Sequence, residues 1–134
     1  MTAGELAQEN CMALTTFRKS GEAVTTPVWV TEVSDGRVGF WTAMGSGKTK
    51  RIKNNPAVTV QPCSFSGKLK PGTSPTHGTA ELAQSGPLFD EVRQKVRGKY
   101  GFQSYLTQFI AGTFVLRRKG LTYADTVVLI RLDG

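Results

Sequence analysis

Six short apolar and β-branched segments, separated by turn-forming residues, constrain the fold of this chain more than any other feature. They cover residues 11–17, 24–33, 38–42, 57–61, 76–82 and 126–132. Segments of this length and composition are typical of β-strands, and most of the connections suit antiparallel hairpins. We therefore expect a mainly β fold, a six-stranded antiparallel barrel with helices attached. The length of 134 residues is that of a single domain, residues 1–134.

Helical patterns occupy much of the remaining chain. They are expected over residues 2–10, over 48–54, from Ser85 onward and over 102–118. Thr2 and Glu5 have the spacing of a capping box, and Pro56 stops the second helix. Gly98 and Gly101 are expected to separate the last two helices, because glycine weakens a helix interior.

Composition excludes several classes of protein. With 39% hydrophobic and 20% charged residues, the chain is not a disordered segment. Its apolar runs are much shorter than the roughly 20 residues that cross a bilayer. The polar start has no secretory signal pattern, which predicts a cytoplasmic protein with free thiols at Cys11 and Cys63. Together with the lone His77, these cysteines lack metal-ligand spacing, so no metal site is expected.

The net charge of +7 is concentrated in one part of the chain. From Gly36 to Ala80 there are seven basic and no acidic residues, whereas the remaining segments hold ten of each. A field of one sign attracts anions, which predicts a phosphorylated or polycarboxylate small molecule, a nucleic acid or an anionic membrane surface as partner. A nucleic-acid-binding barrel needs aromatic side chains among the basic ones, and only Phe65 lies between Lys48 and Lys70.

A glycine-rich turn lies inside this basic segment, at residues 44–49. It resembles a nucleotide-binding P-loop, but Thr42 stands where that motif requires its first glycine. The turn nevertheless opens a helix whose N-terminal N–H groups and dipole favour an anion. Hydroxyl and cationic side chains accompany it, so residues 46–51 are predicted to bind phosphate.

The second strand contains a proline and a tryptophan on one face. Pro27 removes one hydrogen bond of the strand ladder, which places the strand at a sheet edge or beside a ligand. Trp29 follows two residues later and offers a flat surface to a planar heterocycle. Taken alone, these residues favour the simpler interpretation, an edge strand with a packed tryptophan.

Taken together, these segments resemble a known family. Residues 15–21, 26–30, 41–42 and 46–60 are similar to the split β-barrel flavin and deazaflavin oxidoreductases, relatives of pyridoxamine 5′-phosphate oxidase. The similarity is greatest to the actinobacterial branch assigned to the deazaflavin coenzyme F420, and it extends to residues 99–101 and 127–129. The resemblance implies an FMN-binding type of split barrel, a homodimer with the cofactor at the interface.

The resemblance also implies cofactor contacts at specific positions. Those near the ring and ribityl chain would be Thr26, Pro27, Val28, Trp29, Trp41 and Thr42; those near the phosphate and tail would be Ser46, Gly47, Lys48, Thr49, Lys50 and Arg51. Flavin-binding members often have arginines where this chain has Thr26 and Gly47. Both departures argue against FMN, and the acid-free segment suits the polyanionic tail of F420.

We therefore predict an oxidoreductase that uses reduced F420 as hydride donor to a small organic substrate. An FMN flavoprotein of the same fold and a non-catalytic cofactor-binding or carrier protein remain the alternatives. No residue is identified as proton donor, although solvent and a tyrosine such as Tyr100 are candidates. No nucleic acid or integral membrane association is expected.

Overall fold

The computed structural model describes residues 2–42, 47–111 and 126–133. Its helices are α1 (Ala3–Ala7), α2 (Gly47–Asn54) and α3 (Pro87–Ala111). Its strands are β1 (Cys11–Phe17), β2 (Ala23–Val28), β3 (Thr31–Glu32), β4 (Val38–Thr42), β5 (Ala57–Cys63), β6 (Thr76–Ala83) and β7 (Thr126–Leu132). The fold is mainly β, as the sequence predicts.

The strands form one curled sheet in the order β2-β1-β5-β6-β7-β4-β3, with antiparallel neighbours throughout. The two edge strands, β2 and β3, are separated in the chain by only Trp29 and Val30. A sheet whose first and last strands are joined by two residues must curl back on itself. The result is a half-barrel that is open between β2 and β3, the arrangement of a split barrel.

Among the described residues, seven strands replace the predicted six, because the segment 24–33 divides. β2 pairs with β1 as far as Val28, whereas β3 pairs with β4 from Thr31. The chain therefore leaves one edge of the sheet after Val28 and begins the opposite edge at Thr31.

The curled sheet encloses the main core. Its largest fully buried side chains are Phe40, Leu6, Met12, Leu14 and Ile130. A second cluster lies outside the barrel, where Val92 and Val96 of α3 pack on Val127 and Leu129 of β7. Thus α3 covers one outer face of the sheet, while α1 contacts β3 and β4 and α2 contacts β1 and β6.

The helices follow the sequence patterns except at their ends. The capping box of α1 is confirmed: the Glu5 N–H donates to Thr2 Oγ1 at 3.2 Å, and the Thr2 N–H donates to Glu5 Oε1 at 3.3 Å. However, α1 ends at Ala7, three residues before the predicted end. Among the described helices, none has the length and apolar character needed to cross a membrane.

The predicted break in α3 is wrong. This helix continues through Gly98 and Gly101 to Ala111, and the rest of the predicted helix 102–118 lies outside the described residues. A helical glycine costs only about 1 kcal/mol relative to alanine. Burial of Val92 and Val96, which are both 0% exposed, exceeds that cost.

Candidate cofactor site

The short helix α2 packs against β1 and β6. Ile52 is buried in the barrel core and Thr49 is 0% exposed, so these two residues form the inward face of the helix. Lys50 and Lys53 are exposed on other faces. The packing of one face fixes the N-terminal turn of α2, which carries the residues predicted to bind phosphate.

Arg51 folds back over that N-terminal turn. Its Nε donates to Thr16 Oγ1 at 2.5 Å, and its Nη1 lies 2.7 Å from the position that a Cβ would occupy at Gly47. Gly47 therefore leaves room for a guanidinium group beside the first N–H groups of α2. A larger residue at position 47 would displace this guanidinium, which is a physical reason for glycine there.

Thr16 is a site residue that the sequence analysis missed. It lies on β1, faces the barrel interior and is 1% exposed, and its hydroxyl holds the Arg51 side chain. Met12 and Leu14 precede it on the same face of the strand. A polar residue in an inward-facing row was the signal that could have identified it.

Lys48 adds a second cation to the same turn. Burial of its ammonium group lowers the pKa of Lys48, and the nearby Arg51 charge lowers that pKa further. Within residues 2–42, 47–111 and 126–133, no carboxylate forms an ion pair with Lys48 or Arg51. Two crowded cations at the positive end of a helix favour an anion there. The predicted Ser46 lies outside the described residues.

The predicted ring contacts lie along β2, which is an edge strand. Thr26 pairs with Leu14 and Val28 with Met12 on the interior face, whereas Pro27 is exposed on the outer face. The sheet order confirms the edge position that Pro27 requires. A Cβ at Gly67 would contact the Pro27 ring at 3.9 Å, so the turn after β5 flanks this edge.

Trp29 and Trp41 are brought together, with ring centroids 6.4 Å apart at 37°. Trp29 is partly buried and contacts two hydrophobic clusters. Trp41 is only 5% exposed, and the Arg97 guanidinium lies 5.8 Å from its ring centroid. Trp41 therefore supports Trp29 from within the α3 interface.

Thr42 is also buried, in register with Thr126 of β7. Neither Trp41 nor Thr42 offers an open surface in the described structure. Val24, the cross-strand partner of Thr16, and Pro27 are three residues apart on β2. At about 3.3 Å per residue, the phosphate end and the ring end of the site lie roughly 10 Å apart along one strand.

His77, another candidate from the sequence, is not part of this arrangement. His77 is exposed on β6 in register with Thr59, and no metal cluster of His, Cys, Asp or Glu occurs among the described residues. The side chain of Tyr100 lies outside them. Cys11 and Cys63 are buried free thiols that stand opposite each other on β1 and β5.

Several solved structures have a fold similar to that of this chain. Among solved structures, the heme storage protein HutZ of Vibrio cholerae matches with a TM-score of 0.66 and 14% identity, over 98% of this chain and 87% of HutZ. A structure described as an F420 reductase matches with a TM-score of 0.63 and 18% identity, over 97% of this chain and 92% of the reductase. The conserved hypothetical protein Rv2991 of Mycobacterium tuberculosis matches with a TM-score of 0.62 and 17% identity, over 98% of this chain and 79% of Rv2991. At these identities the structures share the fold alone.

No curated protein matches the chain. The family model for pyridoxamine 5′-phosphate oxidase matches residues 2–119, which is most of the sequence and includes β2, α2 and most of the strands. The chain therefore belongs to the pyridoxamine 5′-phosphate oxidase family.

Proposed function

We propose that this protein is an oxidoreductase that binds reduced coenzyme F420 and delivers hydride to a small organic substrate. The observation that carries the proposal is the pair of cations, Lys48 and Arg51, at the N-terminal turn of α2. No carboxylate neutralises them among the described residues, and no acidic residue occurs from Gly36 to Ala80. Such a turn binds a phosphorylated ligand.

The donor set fits a phosphorylated, flavin-shaped cofactor. The Gly47 backbone, Lys48 and Arg51 would hold the phosphate, with exposed Lys50 beside a charged tail. The edge of β2 from Thr26 to Trp29 would hold the ring. Thr49 faces the barrel and supports the helix instead of the ligand.

F420 is favoured over FMN by this chain's own residues. Thr26 and Gly47 stand where flavin-binding relatives often have arginine, and the acid-free segment suits a tail with several carboxylates. The F420 reductase structure supports the fold and not the choice of cofactor.

When bound, the reduced deazaflavin supplies the hydride. The chain's residues bind and orient that group: Lys48 and Arg51 fix the phosphate end, and Pro27 and Trp29 flank the ring end. Trp29 also excludes water from one side, because it is backed by the buried Trp41. No side chain is assigned as proton donor.

A second copy of the chain would complete the site. The described part of α3 packs on β3, β4 and β7, while Thr15, Thr25 and Pro27 lie on the outer face of β1 and β2. The hydroxyls of Thr15 and Thr25 are 2.8 Å apart on that face. We propose that the homodimer interface covers this face and closes the ring end of the site.

The proposal is tested by titrating the purified apoprotein with F420, FMN and hemin in parallel. We expect a colourless protein that quenches F420 fluorescence and binds FMN and hemin more weakly. Tighter binding of FMN would support the flavoprotein alternative, and binding of hemin alone would overturn the proposal. Oxidation of bound reduced F420 by added acceptors then separates an enzyme from a carrier, and sedimentation analysis gives the oligomeric state.

A further inference from the structure

The ammonium group of Lys99 joins three separate parts of the molecule. Its Nζ donates to the backbone carbonyl of Val30 at 2.6 Å, to that of Ala7 at 2.6 Å and to that of Glu9 at 2.7 Å. An ammonium group has three N–H donors, so all three are used on carbonyl oxygens. Charge-assisted hydrogen bonds of this length are among the stronger ones in proteins.

The three carbonyls define what Lys99 holds in place. Those of Ala7 and Glu9 belong to the end of α1 and the segment leading into β1. That of Val30 belongs to the two-residue link between β2 and β3, where the barrel is split. Trp29 is the other residue of this link, so Lys99 ties α3 directly to the segment that carries Trp29.

We infer that Lys99 is a positioning residue that sets the orientation of Trp29 at the ring end of the cofactor site. The effect of Lys99 on cofactor binding rests on the proposed function. The effect of Lys99 on the orientation of Trp29 does not depend on that function. Lys99 acts through the Val30 carbonyl and touches neither cofactor nor substrate.

The ammonium group of Lys99 is partly buried and lies near the side chains of Cys11 and Glu9. Burial lowers the pKa of Lys99, while Cys11 on β1 and the Glu9 carboxylate oppose that shift. Glu9 Oε1 is itself bonded to Lys70 Nζ at 2.6 Å. A neutral side chain of similar length would therefore lose the tie to Val30 and leave three carbonyls without this donor.

The inference is tested with Lys99→Met and, as matched control, Lys95→Met. Lys95 lies one turn earlier on α3 and also donates to a backbone carbonyl, that of Glu32, as well as to Glu91. The first readout is the near-ultraviolet circular dichroism of the apoprotein, which reports the Trp29–Trp41 pair. The second is the dissociation constant of F420.

We expect Lys99→Met to change the tryptophan signal and to weaken F420 binding about tenfold, which is roughly 1.4 kcal/mol. Lys95→Met should leave both unchanged, and Lys99→Arg should restore part of each because it keeps the charge and donors. Unchanged tryptophan signal and binding in folded Lys99→Met would overturn the inference. So would equal effects of Lys95→Met.

Failure of the proposed function gives a different pattern. If the wild-type protein binds no F420, the proposed function fails, but the circular dichroism comparison still decides whether Lys99 positions Trp29. If Lys99→Met does not fold, Lys99→Gln, which keeps two N–H donors, is measured in the same way. Loss of folding in both variants would assign Lys99 to general stability and overturn the positioning role.

Discussion

The helices α2 and α3 both carry several basic side chains, yet they use them in opposite ways. The four basic residues in the first half of α3 all have internal partners. Arg93 lies over Phe89, Lys95 binds Glu91, Arg97 lies over Trp41 and Lys99 binds backbone carbonyls. On α2, by contrast, Lys48 and Arg51 crowd one turn with no carboxylate among the described residues.

The difference shows which kind of positive charge indicates a ligand. Basic residues that pair with carboxylates, cover aromatic rings or bind carbonyls stabilise the fold, and their donors or faces are already engaged within the protein. Cations held together at a helix N-terminus repel each other, so an anion that enters between them gains binding energy. This contrast was already present in the chain, because acidic residues accompany the basic ones on α3 and are absent from residues 37–80.

Removal of the Lys48 ammonium should have the largest effect on binding. We expect Lys48→Ala to weaken F420 binding by about 1–3 kcal/mol, the range for a charged hydrogen bond. This is roughly a 5- to 150-fold rise in the dissociation constant, measured by fluorescence titration. Lys53→Ala, on the exposed face of the same helix, should bind F420 normally. Equal losses in the two variants would mean that only the overall charge of α2 matters.

Alanine at two glycines separates the roles of α2 and α3. At Gly39 a Cβ would lie 2.9 Å from Val92 Cγ2 and 3.3 Å from the Val128 oxygen, in a packed interface. Gly39→Ala should therefore lower the free energy of unfolding by about 1–3 kcal/mol, as overpacking does. Urea denaturation measures this change.

Gly47→Ala on α2 is the substitution to compare with Gly39→Ala. Its Cβ would meet the flexible end of Arg51, which can move away, so stability should change by less than about 0.5 kcal/mol. F420 binding should nevertheless weaken, because the guanidinium is displaced from the first turn. Unaltered binding in this variant would show that the observed position of Arg51 is not the one used for phosphate.

The pH dependence of binding tests the crowding of the two cations. The pKa of Lys48 is lowered from its ordinary value of 10.5, and a bound phosphate would raise it again. Between these two pKa values the complex holds more protons than the free protein, so F420 binding should weaken as pH rises through the lower one. Deprotonation of Lys48 should weaken F420 binding by no more than Lys48→Ala does at neutral pH. Lys48→Met has no titrating amine at this position, so its binding should lack this pH-dependent decrease. A profile shared by both proteins would assign the titration to another group.

Local sequence patterns predicted the parts of the fold that depend on neighbours along the chain. The capping box of α1, the limits of α2 and the edge position of Pro27 follow from residue types and short spacings. The seventh strand did not, because the division at Val28 depends on where the curled sheet closes. The continuity of α3 through Gly98 was missed for a similar reason: burial of Val92 and Val96 against the sheet outweighs the glycine.

The candidate site divides in the same way. Lys48 and Arg51 were identifiable from their turn and their acid-free surroundings. Thr16 and Lys99 were not, because each acts through a contact between distant segments, 35 residues apart for Thr16 and Arg51 and 69 for Lys99 and Val30. Trp41 was identified, yet its burial beneath α3 could not be read from the alternation of β4.

A small effect is expected at Arg97, and it tests the α3 side of the comparison. Its guanidinium lies 5.8 Å from the Trp41 ring centroid on an exposed side chain, a contact worth about 0.5–1 kcal/mol. Arg97→Ala should lower the free energy of unfolding by that amount and leave F420 binding within about twofold, because its guanidinium covers the buried Trp41 ring and has no place in the proposed anion site. Urea denaturation and F420 titration measure the two quantities. A loss of binding as large as that of Lys48→Ala would place Arg97 in the anion site and remove the distinction between the two helices.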